Sequence, residues 1–156
     1  MNARSRIARW HRPSDTFAQY IAEARQTKRW SQDDLSEAMN NLGMPMDLTV
    51  IAKIEGGYRK DIGLNEVVTL CAALGVAPLH MIVPWDDDWM VALGARGLER
   101  KDAAPKAMEP AHVVRDWFVG KRALRVTDDT RLYHYMQKPP QAVVDNAKAR
   151  KKERKS

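Results

Sequence analysis

The residues with the most chemical potential in this chain lie between Trp30 and Lys60. Leu48, Thr49, Ala52 and Lys53 share the outer side of a short helical pattern, Leu48 to Glu55, whose inner side is Val50, Ile51 and Ile54. That outer side is small or polar and has no long acidic side chain, so the major groove of duplex DNA could accept it. Thr49 can reach base edges or a thymine methyl, Leu48 and Ala52 offer methyl contact, and Lys53 can donate to guanine or to a phosphate. Gly56-Gly57 stop the helix, and Tyr58, Arg59 and Lys60 follow at once, types suited to tracking a phosphate backbone. Taken singly, Lys53 or Arg59 reads as solvated surface charge; the surrounding pattern gives them a role.

The other candidates are weaker. Arg4, Arg6, Arg9 and Arg12 recur every two or three residues ahead of Pro13 and Ser14. This reads as a mobile arm able to lie along phosphates or enter a minor groove, or as a solvated terminus. Asp86-Asp87-Asp88 invites a metal reading, but adjacent side chains on a helix do not converge and no other ligands cluster nearby. His80 reads as surface, and His112 and His134 are isolated. Cys71 is the lone cysteine, which excludes an internal disulfide and a cysteine-rich metal site. No nucleophile–base pairing, phosphate-cradling glycine loop or metal-ligand set is present, so no enzyme activity, cofactor or metal is expected.

The elements that must position the central residues follow from periodicity and caps. A first helix over about Thr16 to Lys28, capped by Ser14 or Asp15, places Phe17, Ile21 and Ala24 on one face with Tyr20 beside them. Arg25, Lys28 and Arg29 suit its C-terminal end, and Trp30 reads as a core plug at the junction. Ser31 is a good N-cap for a second helix, and Leu35, Ala38, Met39 and Leu42 form its apolar stripe. Asn40-Asn41, Gly43 and Pro45 end it. Asp47 caps the third helix. A fourth, from near Asn65 to Leu74, buries Val67, Leu70, Cys71 and Leu74 and ends at Gly75. A short fifth runs from Pro78 to Ile82, and Pro84 closes the unit.

At this point the residues resemble a family. The order Ser31-Gln32-x-x-Leu35, then Thr49-x-Ile51-x-x-Ile54-Glu55-x-Gly57-x-Arg59, is similar to the phage-repressor (Cro and repressor type, XRE-like) helix-turn-helix. Residues 64–84, LNEVVTLCAALGVAPLHMIVP, match that family's closing helices, so the resemblance covers roughly residues 15–84. The turn is several residues longer than in the shortest members, and Met46-Asp47 stand at the entry to the recognition helix. The resemblance implies a five-helix lambda-repressor-like domain; with a small, mainly helical C-terminal segment after it, the expected fold class is all-α. The resemblance further implies that Gln32 hydrogen-bonds a phosphate and braces the recognition helix, and that Glu55 fixes the loop after that helix. It also implies a sequence-specific transcriptional regulator, a phage-type repressor acting by operator occupancy on double-stranded DNA. Nothing resembles the Ser/Lys self-cleaving domain of some larger phage repressors.

The expected organisation is a basic arm (1–13), the helix-turn-helix domain (14–84), a mainly helical segment (85–140) and a basic tail (141–156). Asp86-Asp87-Asp88 could cap a helix holding Trp89, Met90, Leu93 and Leu98, and residues 101–110 read as a linker. A short helix is expected after Pro110, from the pairs Val113/Trp117 and Val114/Phe118, and residues 121–126 as strand or helix. The apolar stretch 111–136 either packs back on the first unit or joins two copies as a homodimer; a monomer on an asymmetric site also fits. An antitoxin-like module that wraps a protein partner is the alternative from a different class.

Charge supports the leading reading. The net charge of +6 is unevenly distributed. Residues 1–30 carry +5 and residues 141–156 carry +4, whereas residues 31–84 carry −4. Basic ends that reach a polyanion around a folded unit that sets position would have this distribution. No apolar run approaches the roughly 18 residues that cross a bilayer, and the basic N-terminus has no apolar stretch behind it to make a secretion signal. A bacterial cytoplasmic location, at the nucleoid, is expected.

Overall fold

A computed structural model describes residues 9–94, 105 and 107–124. The chain runs β1 (Arg9–His11), α1 (Pro13–Thr27), α2 (Gln32–Asn41), α3 (Leu48–Glu55), α4 (Leu64–Leu74) and α5 (Pro78–Ile82). It continues through β2 (Trp89–Leu93), β3 (Ala107–Pro110) and α6 (Ala111–Phe118).

The five helices α1 to α5 form where periodicity places them, with a different start to α1. Ser31 caps α2 by accepting from the Asp34 N–H at 3.1 Å, and the Asp34 carboxylate accepts the Ser31 N–H at 2.7 Å. Gly43, with φ +79°, turns the chain out of α2, and the Ser36 hydroxyl donates to the Met46 carbonyl at 2.8 Å, tying the lengthened turn to α2. Gly75, with φ +70°, ends α4 in the left-handed conformation that glycine adopts without strain. Phe17, Ile21, Leu35, Met39, Ile51, Ile54, Leu70, Cys71 and Leu74 are buried together as one core. Trp30 packs against its margin. Leu42, expected in the stripe, is 53% exposed because it is the C-cap, beyond the last turn that faces the core.

The start of α1 is corrected. Arg12, not Ser14 or Asp15, is the N-cap, and Pro13 is the first helical residue. Proline needs no N–H donor there and its fixed φ suits a helix start. Asp15 then reaches back to the Arg12 guanidinium at 2.9 Å.

The all-α expectation fails outside this unit. A three-stranded mixed sheet, in the order β1-β2-β3, joins the two ends of the described chain. β1 pairs parallel with β2, Arg9 opposite Trp89, and β3 pairs antiparallel with β2, Met90 opposite Pro110. The expected mobile arm is therefore a strand over residues 9–11, the expected helix at Trp89 is β2, and the expected linker contributes β3. β2 is central, with Val91 and Ala92 both buried. A strand covered on both sides lacks the alternation that marks a half-exposed one, so its short apolar run looks like helix in sequence. Pro110 is tolerated because it closes an edge strand and caps α6.

The described part of the C-terminal segment packs back on the first unit. Val83, Val91, Ala111 and Val114 form a second core, and Ile82 packs against both cores, so α5 is the shared wall. Arg115 strengthens the junction by donating to the Pro84 carbonyl and the Asp87 carboxylate. Helix α6 forms as expected, and Trp117 meets Phe118 edge-to-face at 5.1 Å. Residues 121–124 are neither strand nor helix. Leu98, residues 125–136 and the basic tail lie outside the described residues.

Cys71 offers a direct test of the first core. Burial pushes its thiol up to about 11, so at pH 8 the native chain should resist thiol reagents and react only on unfolding in urea. Rapid stoichiometric labelling of the native protein would overturn this packing.

Candidate nucleic-acid interface

Helix α3 is fixed from below by an ion pair near its C-terminal end. Arg25, from the last turn of α1, donates to both Glu55 carboxylate oxygens, at 2.6 and 2.8 Å. Its remaining guanidinium nitrogen donates to the Trp30 carbonyl at 2.7 Å. Gln32, the first residue of α2, donates to the same carboxylate at 2.9 Å. The Glu55 side chain is 7% exposed and that of Arg25 13%. Burial alone pushes the Glu55 carboxyl up, but hydrogen bonds from Arg25 and Gln32, with the Arg25 charge, outweigh it and hold the group below its ordinary value. Three helices thus meet at one carboxylate.

With that end fixed, α3 buries Ile51 and Ile54 and presents Leu48, Thr49, Ala52 and Lys53, all exposed. Asp47, its N-cap, is exposed and makes no side-chain capping bond. The exposed acids Asp33, Asp34 and Glu37 belong to α2, so α3 rather than α2 presents the acid-free face. Tyr58 stands 85% exposed just past the end of α3. Gly57, with φ +70°, makes the turn that places it there.

The loop cations are placed differently from expectation. Arg59 makes two hydrogen bonds at 3.0 Å to the Glu66 carboxylate, and Glu66 also accepts the Gly63 N–H at 2.8 Å, capping α4. Lys60 donates to Asp15 at 2.6 Å. The Asp15 carboxyl, pushed up by partial burial, is held low on balance by Arg12 and Lys60. Both cations therefore have internal partners and would share or exchange them to meet a phosphate. Lys53 stands exposed on α3, and no ion pair to it is found among the described residues. Gln32 faces Glu55 rather than solvent, so its bracing role is visible in the geometry and its phosphate contact is not. Arg9 lies at the far edge of the sheet, its guanidinium 5.9 Å from the centre of the Trp89 ring. Arg4 and Arg6 lie outside the described residues.

Two residues with structural weight escaped sequence reading. Arg25 looked like an ordinary helix-end cation, and its partner is 30 positions away. Glu66 has no role in that reading, although its capping position in α4 could have suggested that its carboxylate is occupied. Among the described residues, no group of His, Cys, Asp and Glu could hold a metal ion.

No family model matches the chain, and neither curated proteins nor solved structures include a significant relative.

Replacing Arg25 by Ala leaves the Glu55 carboxylate buried without its cation, which should cost about 3–5 kcal/mol of unfolding free energy at neutral pH. Because the folded-state pKa of Glu55 is lowered, its stabilisation is complete above the unfolded value of about 4.3 and fades as pH falls through the folded value. Urea denaturation at pH 7 and below pH 4 should show the two proteins far apart at pH 7 and closer in acid. Equal stability at pH 7 would overturn the role given to the pair.

Proposed function

We propose that this chain is a sequence-specific DNA-binding transcriptional regulator that acts by occupying an operator, in the manner of a phage-type repressor. The observation that carries this reading is the exposed, acid-free face of α3, standing on a core-anchored helix whose lower end is held by Arg25, Gln32 and Glu55. A groove-reading element needs two properties together: a narrow face without acids, and a base rigid enough to hold it in register. In this reading Leu48, Thr49, Ala52 and Lys53 meet base edges, and Tyr58, Arg59 and Lys60 lie toward the backbone.

The electrostatic contribution comes from the ends. With −4 on residues 31–84, attraction to DNA rests on the arm around Arg4, Arg6 and Arg9 and on the tail at 141–156. A homodimer through 111–136 would draw on Trp117, Phe118 and Val119, which are exposed on and beside α6 while Val113 and Val114 are buried within the chain. The antitoxin-like alternative needs an apolar segment free to wrap a partner; Ala111 and Val114 already fill the second core, and Val113 is buried as well. Among the described residues no helix is long and apolar enough to cross a membrane; a place at the nucleoid belongs to the DNA-binding reading.

Selection of bound sites from random duplex DNA, repeated across a salt series, tests the proposal. A defined motif with a steep salt slope supports it, and a symmetric motif favours the dimer. Binding without any motif would reduce α3 to a scaffold element. Changing Arg4 and Arg6 together to Gln should leave the motif intact and lower the salt slope by roughly one for each phosphate left without its cation.

A further inference from the structure

We infer that α3 reads its site chiefly through the methyl groups of thymines in the major groove, so that the bound duplex is defined by where its thymine C5-methyls lie. This rests on the DNA-binding reading above and names the chemistry by which that site discriminates.

The side chains that make paired hydrogen bonds to purines are Arg and Lys for guanine, and Asn and Gln for adenine. On the exposed face of α3 only Lys53 belongs to that set, and it lies in the last turn. The nearby amide, Gln32, donates to Glu55 at 2.9 Å, and the nearby guanidinium, Arg59, is held on Glu66 by two bonds. What remains at the leading part of the face is Leu48, 41% exposed, with exposed Thr49 and Ala52. All three end in methyl groups, and only the Thr49 hydroxyl adds a hydrogen-bonding atom. An apolar side chain in a groove discriminates bases by contact with the thymine methyl. Leu48 also fits this role energetically: an exposed leucine on a narrow helix face sheds its hydration only where it meets an apolar surface.

The test uses the full chain. A motif is first selected from random duplex DNA; the selected duplex is then rebuilt with uracil replacing thymine, which removes the C5-methyl and leaves base pairing unchanged. Affinity should fall about fourfold for each contacted thymine, the effect expected for one buried methyl, with the salt slope unchanged. Single-position uracil substitutions locate the contacts. At one of them the penalty should shrink in Thr49→Ser, which keeps the hydroxyl and removes the methyl, because the two deletions act on the same methyl–methyl pair. A defined motif bound equally well with uracil throughout would overturn this inference while leaving the DNA-binding reading in place. Failure to select any motif would overturn both.

Discussion

The architecture depends on a carboxylate that three helices share. Glu55 lies at the end of α3, takes both arms of Arg25 from α1 and is closed off by the amide of Gln32 from α2. A buried ion pair commonly gains little over apolar packing, because desolvation opposes the attraction. Here the bidentate geometry and the third hydrogen bond satisfy the charge, and the Trp30 carbonyl occupies another guanidinium donor. Apolar contacts hold α3 onto the core but allow several orientations. A directional network at its end limits rotation and slip, which a helix needs if four side chains are to meet a fixed pattern of bases.

A second constraint comes from the sheet. β1 lies immediately before α1, and its partner β2 follows α5, so the strand pair joins the ends of the helical unit. α5 then faces both cores through Ile82. The arm is thereby divided: residues 9–11 belong to the fold, while Arg4 and Arg6 precede its described part. The described part of the C-terminal segment, which could have been an independent appendage, shares a wall with the first unit.

Electrostatics separates affinity from position. The folded unit is slightly acidic, and its loop cations are engaged by Glu66 and Asp15, so within the structure Arg59 and Lys60 serve to shape the loop after α3. Positive charge suited to a polyanion is concentrated at the two ends of the chain. A surface with few fixed cations and a methyl-rich reading face would discriminate by shape and apolar contact more than by charge.

The helices of the first unit were legible in the sequence because their determinants are local. Ser31 with Asp34, Asp47 and Gly75 mark boundaries within a turn of the residues they govern, and Leu35, Met39, Ile51 and Ile54 recur at helical spacing. The exposed face of α3 followed from that same periodicity. Tertiary structure alone decided the sheet, since Arg9 and Trp89 pair across some eighty residues, β1 is only three residues long and β2 is an apolar run without alternation. It also decided which charges are occupied: Arg25 on Glu55, Arg59 on Glu66 and Lys60 on Asp15. Arg25 and Lys60 carry no mark of their distant partners in their own neighbourhoods. Pairing is settled by which surfaces meet when the cores close, and only the folded chain brings those surfaces together.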